Sequence, residues 1–162
     1  NPRMTAGDIV GEPLSVHGLA TGRAQQERVA ELFAQVGLRA DQMKNYPHQF
    51  SGGQRQRVGI ARALAVSPEF LVCDESIAAL DVSIQAQIIN LFVDLKDRFD
   101  LTYLFISHDL RVVRAMAHDL IVMKNGKVVE SGKCEDIFNA PQNEYTKTLL
   151  EAALNLKAKK AS

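Results

Sequence analysis

Four short stretches of this 162-residue chain combine residue types that could handle a phosphate and its hydrolysis. Ser51-Gly52-Gly53-Gln54 opens an apolar-periodic segment that reads as a helix. Small residues at a helix mouth let backbone N–H groups approach an anion, and the helix dipole favours the negative charge there. Ser51 adds a hydroxyl and Gln54 an amide. An ordinary glycine turn that starts a helix would read the same way. Asp74-Glu75 ends the apolar run Phe70-Leu71-Val72-Cys73. Carboxylates at the end of such a strand face the ligand crevice of an α/β sheet. Asp74 could hold Mg²⁺ through water, and Glu75 could orient or deprotonate an attacking water. A solvated acidic turn is the plain alternative. His108 follows a second apolar run, Tyr103-Leu104-Phe105-Ile106, and would emerge beside Asp74-Glu75 if the two runs are neighbouring strands. Asp81 alone reads as a helix N-cap.

The elements that would position these residues can be read from periodicity. Residues 1–20 mix Pro2, Gly7, Gly11, Pro13 and Gly18 with short apolar stretches, which suggests loop plus one short helix. Val29, Leu32, Phe33 and Val36 share a helical face, with Gly37 at the C-terminal cap position. Residues 38–50 read as a polar connection. A helix over 54–66 ends at Ser67-Pro68. The runs 70–73 and 103–106 read as fully buried parallel strands. Between them Ile84, Ile88, Leu91, Phe92 and Leu95 line one face of a long helix, which makes a βαβ unit. A further helix is expected over 110–117. Asn125-Gly126, between two apolar runs, is a hairpin signal. The end is helical from Glu144, and 157–162 reads as a disordered tail.

Composition sets outer bounds. Hydrophobic residues make up 46% and charged residues 23%, the mix of a folded globular chain. Lys plus Arg and Asp plus Glu are both 19, and a neutral chain lacks the basic face that broad nucleic-acid binding needs. No apolar run approaches the ~20 residues that span a bilayer. Asn1-Pro2-Arg3-Met4-Thr5 has no apolar signal-peptide core. Cys73 and Cys134 lack metal-site spacing, and Cys73 reads as a small core residue. His17, His48 and His118 also lack ligand spacing and read as surface residues.

Taken in order, the four stretches resemble the ATP-binding cassette (ABC) ATPase family. Ser51-Gly52-Gly53-Gln54 is similar to the family signature, with Phe50 where Leu is more usual. Phe70–Asp74 resembles the Walker B strand and Glu75 the catalytic glutamate. Ala78-Ala79-Leu80-Asp81 resembles the D-loop, and His108 the switch histidine. Asn1–Thr5, Tyr46-Pro47-His48-Gln49, 81–87 and Glu144-Tyr145-Thr146-Lys147 resemble the oligopeptide, dipeptide and nickel importers. Ser76 stands where relatives usually carry Pro, and Ala78 where they carry Ser.

The resemblance implies an α/β fold, namely the C-terminal part of a RecA-like P-loop cassette plus part of its helical subdomain. It implies a helical-subdomain segment at 1–66, a core segment at 67–140 and a C-terminal helix and tail at 141–162. It implies ATP and Mg²⁺ as cofactors. Ser51, Gly52, Gly53 and Gln54 would meet ATP held by a second ATPase subunit. Asp74, through water, would serve the metal, and Glu75 and His108 the hydrolysis. Further expected partners are transmembrane permease subunits and, indirectly, a solute-binding protein, which would place the chain at the cytoplasmic face of the membrane. No nucleic-acid partner is expected. No Gly-x-x-x-x-Gly-Lys-Ser/Thr phosphate loop occurs in the 162 residues. The chain is therefore expected to be a piece of a longer cassette, starting just past its Q-loop and inactive alone. A non-transport ABC ATPase and a non-catalytic interaction fragment are the rival readings.

Overall fold

The computed structural model describes residues 3–75 and 81–160. Ser76 and Ala78, Ala79 and Leu80 of the D-loop-like stretch, like Asn1 and Pro2, lie outside the described residues. Contacts divide the chain into two compact units, residues 1–106 and 107–162.

The first unit begins with a helix, α1 (Ala6–Val16), the one short helix expected within residues 1–20. Its start explains why it forms. The Thr5 hydroxyl accepts from the Asp8 N–H at 3.2 Å, and the Asp8 carboxylate accepts from the Thr5 N–H at 3.1 Å. This reciprocal cap satisfies two of the otherwise unpaired donors of the first turn. Pro13 inside the helix removes one intrahelical bond. Burial of Val10 and Leu14 offsets that loss. The Gln25 amide nitrogen of α2 donates to the Gly11 carbonyl at 2.8 Å and lies 2.6 Å from where a Cβ on Gly11 would stand, so a side chain there would displace this flexible amide.

Helix α2 (Gly22–Gln35) follows, ending as its sequence suggests. Gly37 takes φ 72°, its N–H donates to the Ala34 carbonyl, and the Leu38 N–H donates to the Phe33 carbonyl at 2.8 Å. These are the paired bonds of a Schellman ending, which a left-handed Gly permits without steric cost. The polar connection after it holds two short 3₁₀ turns, Ala40–Lys44 and Pro47–Gln49. Helix α3 (Gly52–Leu64) packs against α1 and α2. Val10, Leu14, Val29, Leu32, Phe33, Val36, Val58, Ala61 and Leu64 form the core between them.

Strands β1 (Phe70–Asp74) and β2 (Thr102–Ile106) pair in parallel, Phe70 opposite Thr102 and Asp74 opposite Ile106. They are joined through helix α4 (Val82–Phe99), so the βαβ reading holds. Phe92 of α4 meets Tyr103 and Phe105 edge-on, at centroid separations of 5.3 and 5.1 Å. The half-buried Tyr103 hydroxyl donates to the Phe92 carbonyl at 3.1 Å, and that partial burial pushes its pKa up. The other face of the pair corrects the expectation of full burial. Phe70, Val72, Leu104 and Ile106 are exposed, between 45% and 58%. In a two-residue alternation these four share one face, and α4 covers only the opposite one.

The second unit carries α5 (Leu110–Met116), then β3 (Asp119–Lys124) and β4 (Lys127–Lys133) as an antiparallel hairpin. Its turn is Asn125-Gly126, with φ 51° and 75°, the double positive φ that Asn-Gly favours. Helices α6 (Cys134–Asn139) and α7 (Glu144–Lys160) complete it. Helix α7 runs through Lys160 instead of giving way to a tail at Lys157, in keeping with the strong helix propensity of Ala, Leu and Lys. Cys73 and Cys134 are buried and not joined in a disulfide, and His17, His48 and His118 are exposed.

Candidate functional site

The mouth of α3 is built by a second reciprocal cap. Ser51 is the N-cap, its hydroxyl accepting from the Gln54 N–H at 3.3 Å, while the Gln54 side-chain oxygen accepts from the Ser51 N–H at 3.0 Å. Both polar side chains of the motif are thus engaged in holding the turn. What the turn offers outward is its backbone, because the first N–H groups of a helix have no partner within it. Gly52 is exposed and Gly53 buried. Gly53 is buried against α4, as a Cβ on it would lie 2.6 Å from Ile84 Cγ2. Sequence reasoning assigned Gly53 to phosphate approach and Ile84 to the core, and missed that they meet.

Two arginines, also missed, hold this helix in place. Arg55 Nε donates to the Phe50 carbonyl at 3.2 Å. Arg57 Nη1 donates to the Val36 carbonyl, at the C-terminal end of α2, at 2.6 Å. A cation at a helix C-terminus satisfies an orphan carbonyl and complements the dipole. Their signal lay in the sequence as a charge pattern, but one compatible with a solvated face. Arg57→Ala should lower the unfolding free energy by about 1.5–3 kcal/mol, the scale of a charged hydrogen bond, as read from urea denaturation.

Asp74 closes β1 and is exposed. Glu75 follows with φ 45°, left-handed backbone that costs a residue bearing a Cβ about 1–3 kcal/mol. The Glu75 N–H donates to the Ile106 carbonyl at 2.9 Å, so the end of β2 fixes this turn. The Glu75 side chain is exposed. Asp81 occupies the N-cap position of α4 as expected, but its side chain makes no capping bond. Among the described residues, no three His, Cys, Asp or Glu side chains gather as a metal cluster.

His108 lies two residues beyond β2, exposed, in the second unit. It sits in a tight turn in which the Asp109 N–H donates to the Ser107 hydroxyl at 3.0 Å. Asp109 caps α5, accepting from the Arg111 N–H at 2.9 Å and from Arg111 Nη2 at 2.5 Å. The Arg111 guanidinium, by that bond, holds the Asp109 carboxyl below the usual carboxylate range, with the charge of His108 a smaller contribution. In the same unit Glu130 ties the hairpin to α7, its carboxylate accepting from the Gln142 and Asn143 N–H groups at 2.7 and 3.2 Å. The buried Thr146 hydroxyl leans on that carboxylate without regular hydrogen-bond geometry, and together they hold its pKa down.

The family profile described as ABC transporter matches residues 1–78. Over 153 residues, 94% of the chain, the sequence is 52% identical to the oligopeptide transport ATP-binding protein OppF of Bacillus subtilis. The chain belongs to the ABC transporter family. An equal identity of 52% over 94% of the chain is found with the dipeptide transport ATP-binding protein DppF of Lactococcus lactis. It is also 52% identical, over 98% of its length, to the peptidoglycan transport ATP-binding protein YejF of Agrobacterium fabrum. The chain spans 50%, 49% and 29% of these three relatives. In ABC terms, the structure pairs the signature-like turn at the mouth of α3 with the Walker B-like strand β1 in one compact unit. No described helix is long and apolar enough to cross a membrane.

Proposed function

We propose that this chain is part of an ATPase subunit that powers an ABC importer for peptides or related solutes. The observation that carries the reading is the capped Ser51-Gly52-Gly53-Gln54 turn, in which the Ser51 and Gln54 side chains and N–H groups are spent on the cap, leaving the Gly52 and Gly53 N–H groups as the first-turn donors for an anion at the helix mouth. The names of these three relatives, ATP-binding proteins of oligopeptide, dipeptide and peptidoglycan transport, support the choice of solute class.

In this reading Ser51, Gly52, Gly53 and Gln54 receive the terminal phosphates of ATP held by a second ATPase subunit. Asp74 suits Mg²⁺, which takes one or two carboxylates and fills its remaining positions with water and phosphate. Asp74 is an exposed carboxylate at the end of β1, beside the exposed Glu75, so its oxygens are open to a hydrated ion. Glu75 orients and deprotonates the attacking water, and Asp81 and His108 take the D-loop and switch roles. The partners are a second ATPase subunit and membrane permease subunits, with a solute-binding protein beyond them. The site of action is the cytoplasmic face of the membrane, reached through the permease.

The test is ATP-dependent association. An intact peptide-importer ATPase subunit, made hydrolysis-deficient, is mixed with this chain and followed by light scattering. Mixed dimers should form with Mg-ATP and dissociate without it, while the chain alone should show no micromolar Mg-ATP affinity by calorimetry. Association indifferent to ATP would overturn the reading.

A further inference from the structure

We propose that Ile84 is a positioning residue for the signature turn, acting through its Cγ2 methyl on Gly53; the functional half of this inference rests on the reading above. Gly53 is buried at the second position of α3, and a Cβ placed there would meet Ile84 Cγ2 at 2.6 Å, closer than real Cβ atoms come. The next atom of Ile84 stands off at 3.9 Å, so one methyl makes the contact. That methyl is held stiffly. Ile84 lies in the first turn of α4, where a β-branched side chain has one strongly preferred χ1. Its Cγ2 is therefore set by the α4 backbone and not by a flexible side chain.

The two glycines of the motif then do different work. Exposed Gly52 leaves the helix mouth open, whereas buried Gly53 lets α4 come close enough to seat it. Because Asp81 begins the same helix, three residues before Ile84, the contact also sets α4 and its N-cap in register with the turn. A turn that must meet a phosphate held by another subunit has to be placed to within a fraction of an ångström, and a misplacement of about 1 Å can cost on the order of a hundredfold in rate.

The chemistry of the branch gives the test. Ile84→Val keeps Cγ2. Ile84→Leu keeps the volume but moves the branch to Cγ. In mixed dimers of this chain with an intact ATPase subunit, Ile84→Leu should lower kcat for ATP about tenfold with KM within about twofold, because the partner's phosphate loop carries ground-state binding. Ile84→Val should restore wild-type turnover. In urea denaturation of the chain, Gly53→Ala should lower the midpoint, and adding Ile84→Ala should recover most of the loss. Val and Leu variants with one common kcat, or a double variant as unstable as the sum of the singles, would overturn the inference. Ser51→Arg separates the two levels. If it spares turnover, the signature reading falls and takes the positioning role with it. If it abolishes turnover while the Val and Leu variants match, only the Ile84 inference falls.

Discussion

In a complete cassette carrying this chain, Glu75→Gln should cut steady-state phosphate release by about a hundredfold or more, the scale of losing a positioned general base. The substitution is nearly isosteric, and it leaves alone what fixes the residue. Left-handed backbone at Glu75 and its N–H bond to the Ile106 carbonyl are main-chain features that Gln keeps. The strain there is itself suggestive, since a residue with a Cβ held at φ 45° after a strand persists only where its surroundings demand it. An unchanged urea midpoint would assign the loss to chemistry. Turnover within a few-fold of wild type would remove Glu75 as the base.

Ser51→Arg should abolish turnover, and for two separable reasons. The first is structural: the hydroxyl that accepts from the Gln54 N–H is lost, at about 0.5–2 kcal/mol of helix stability. The second is steric: a long guanidinium at the helix mouth keeps a phosphate from the backbone N–H groups of the glycine turn. Ser51→Ala isolates the first effect. It should shift the urea midpoint while retaining a measurable fraction of turnover, and the excess loss in Ser51→Arg reports the blocked approach. Equal turnover in the two variants would reduce Ser51 to a helix cap.

Much of this architecture was legible because local rules and tertiary packing agree. The 3.6-residue spacing of Val29, Leu32, Phe33 and Val36, closed by Gly37, reappears as a buried helix face with a Schellman end. Asn125-Gly126 forms the turn its φ preferences demand. The failures are equally physical. The bounds of α1 were obscured because Gly11 and Pro13 score against a helix, whereas the reciprocal Thr5–Asp8 cap that starts it depends on side-chain geometry. The runs 70–73 and 103–106 are apolar throughout, which reads as burial on both faces, yet Phe70, Val72, Leu104 and Ile106 are exposed. The sequence records hydrophobicity, not what covers it. In the site, the order of the motifs is what singles out Ser51, Glu75 and His108 as candidates. The links between segments, Arg57 to Val36 and Gly53 to Ile84, depend on distances across 21 and 31 residues of chain and carry no local signature.

The claim that this chain works through its signature turn, toward ATP held elsewhere, makes an asymmetric demand on the mixed dimer. Its 162 residues contain no phosphate loop to place ATP before its own Glu75. The deciding measurement is steady-state phosphate release from a dimer of this chain with one intact ATPase subunit, with Ser51→Arg or Glu75→Gln placed in this chain alone. Ser51→Arg is expected to abolish release, and Glu75→Gln to leave it within about twofold of the unsubstituted dimer. A dimer that keeps its turnover with Ser51→Arg, or loses it with Glu75→Gln, would contradict the account.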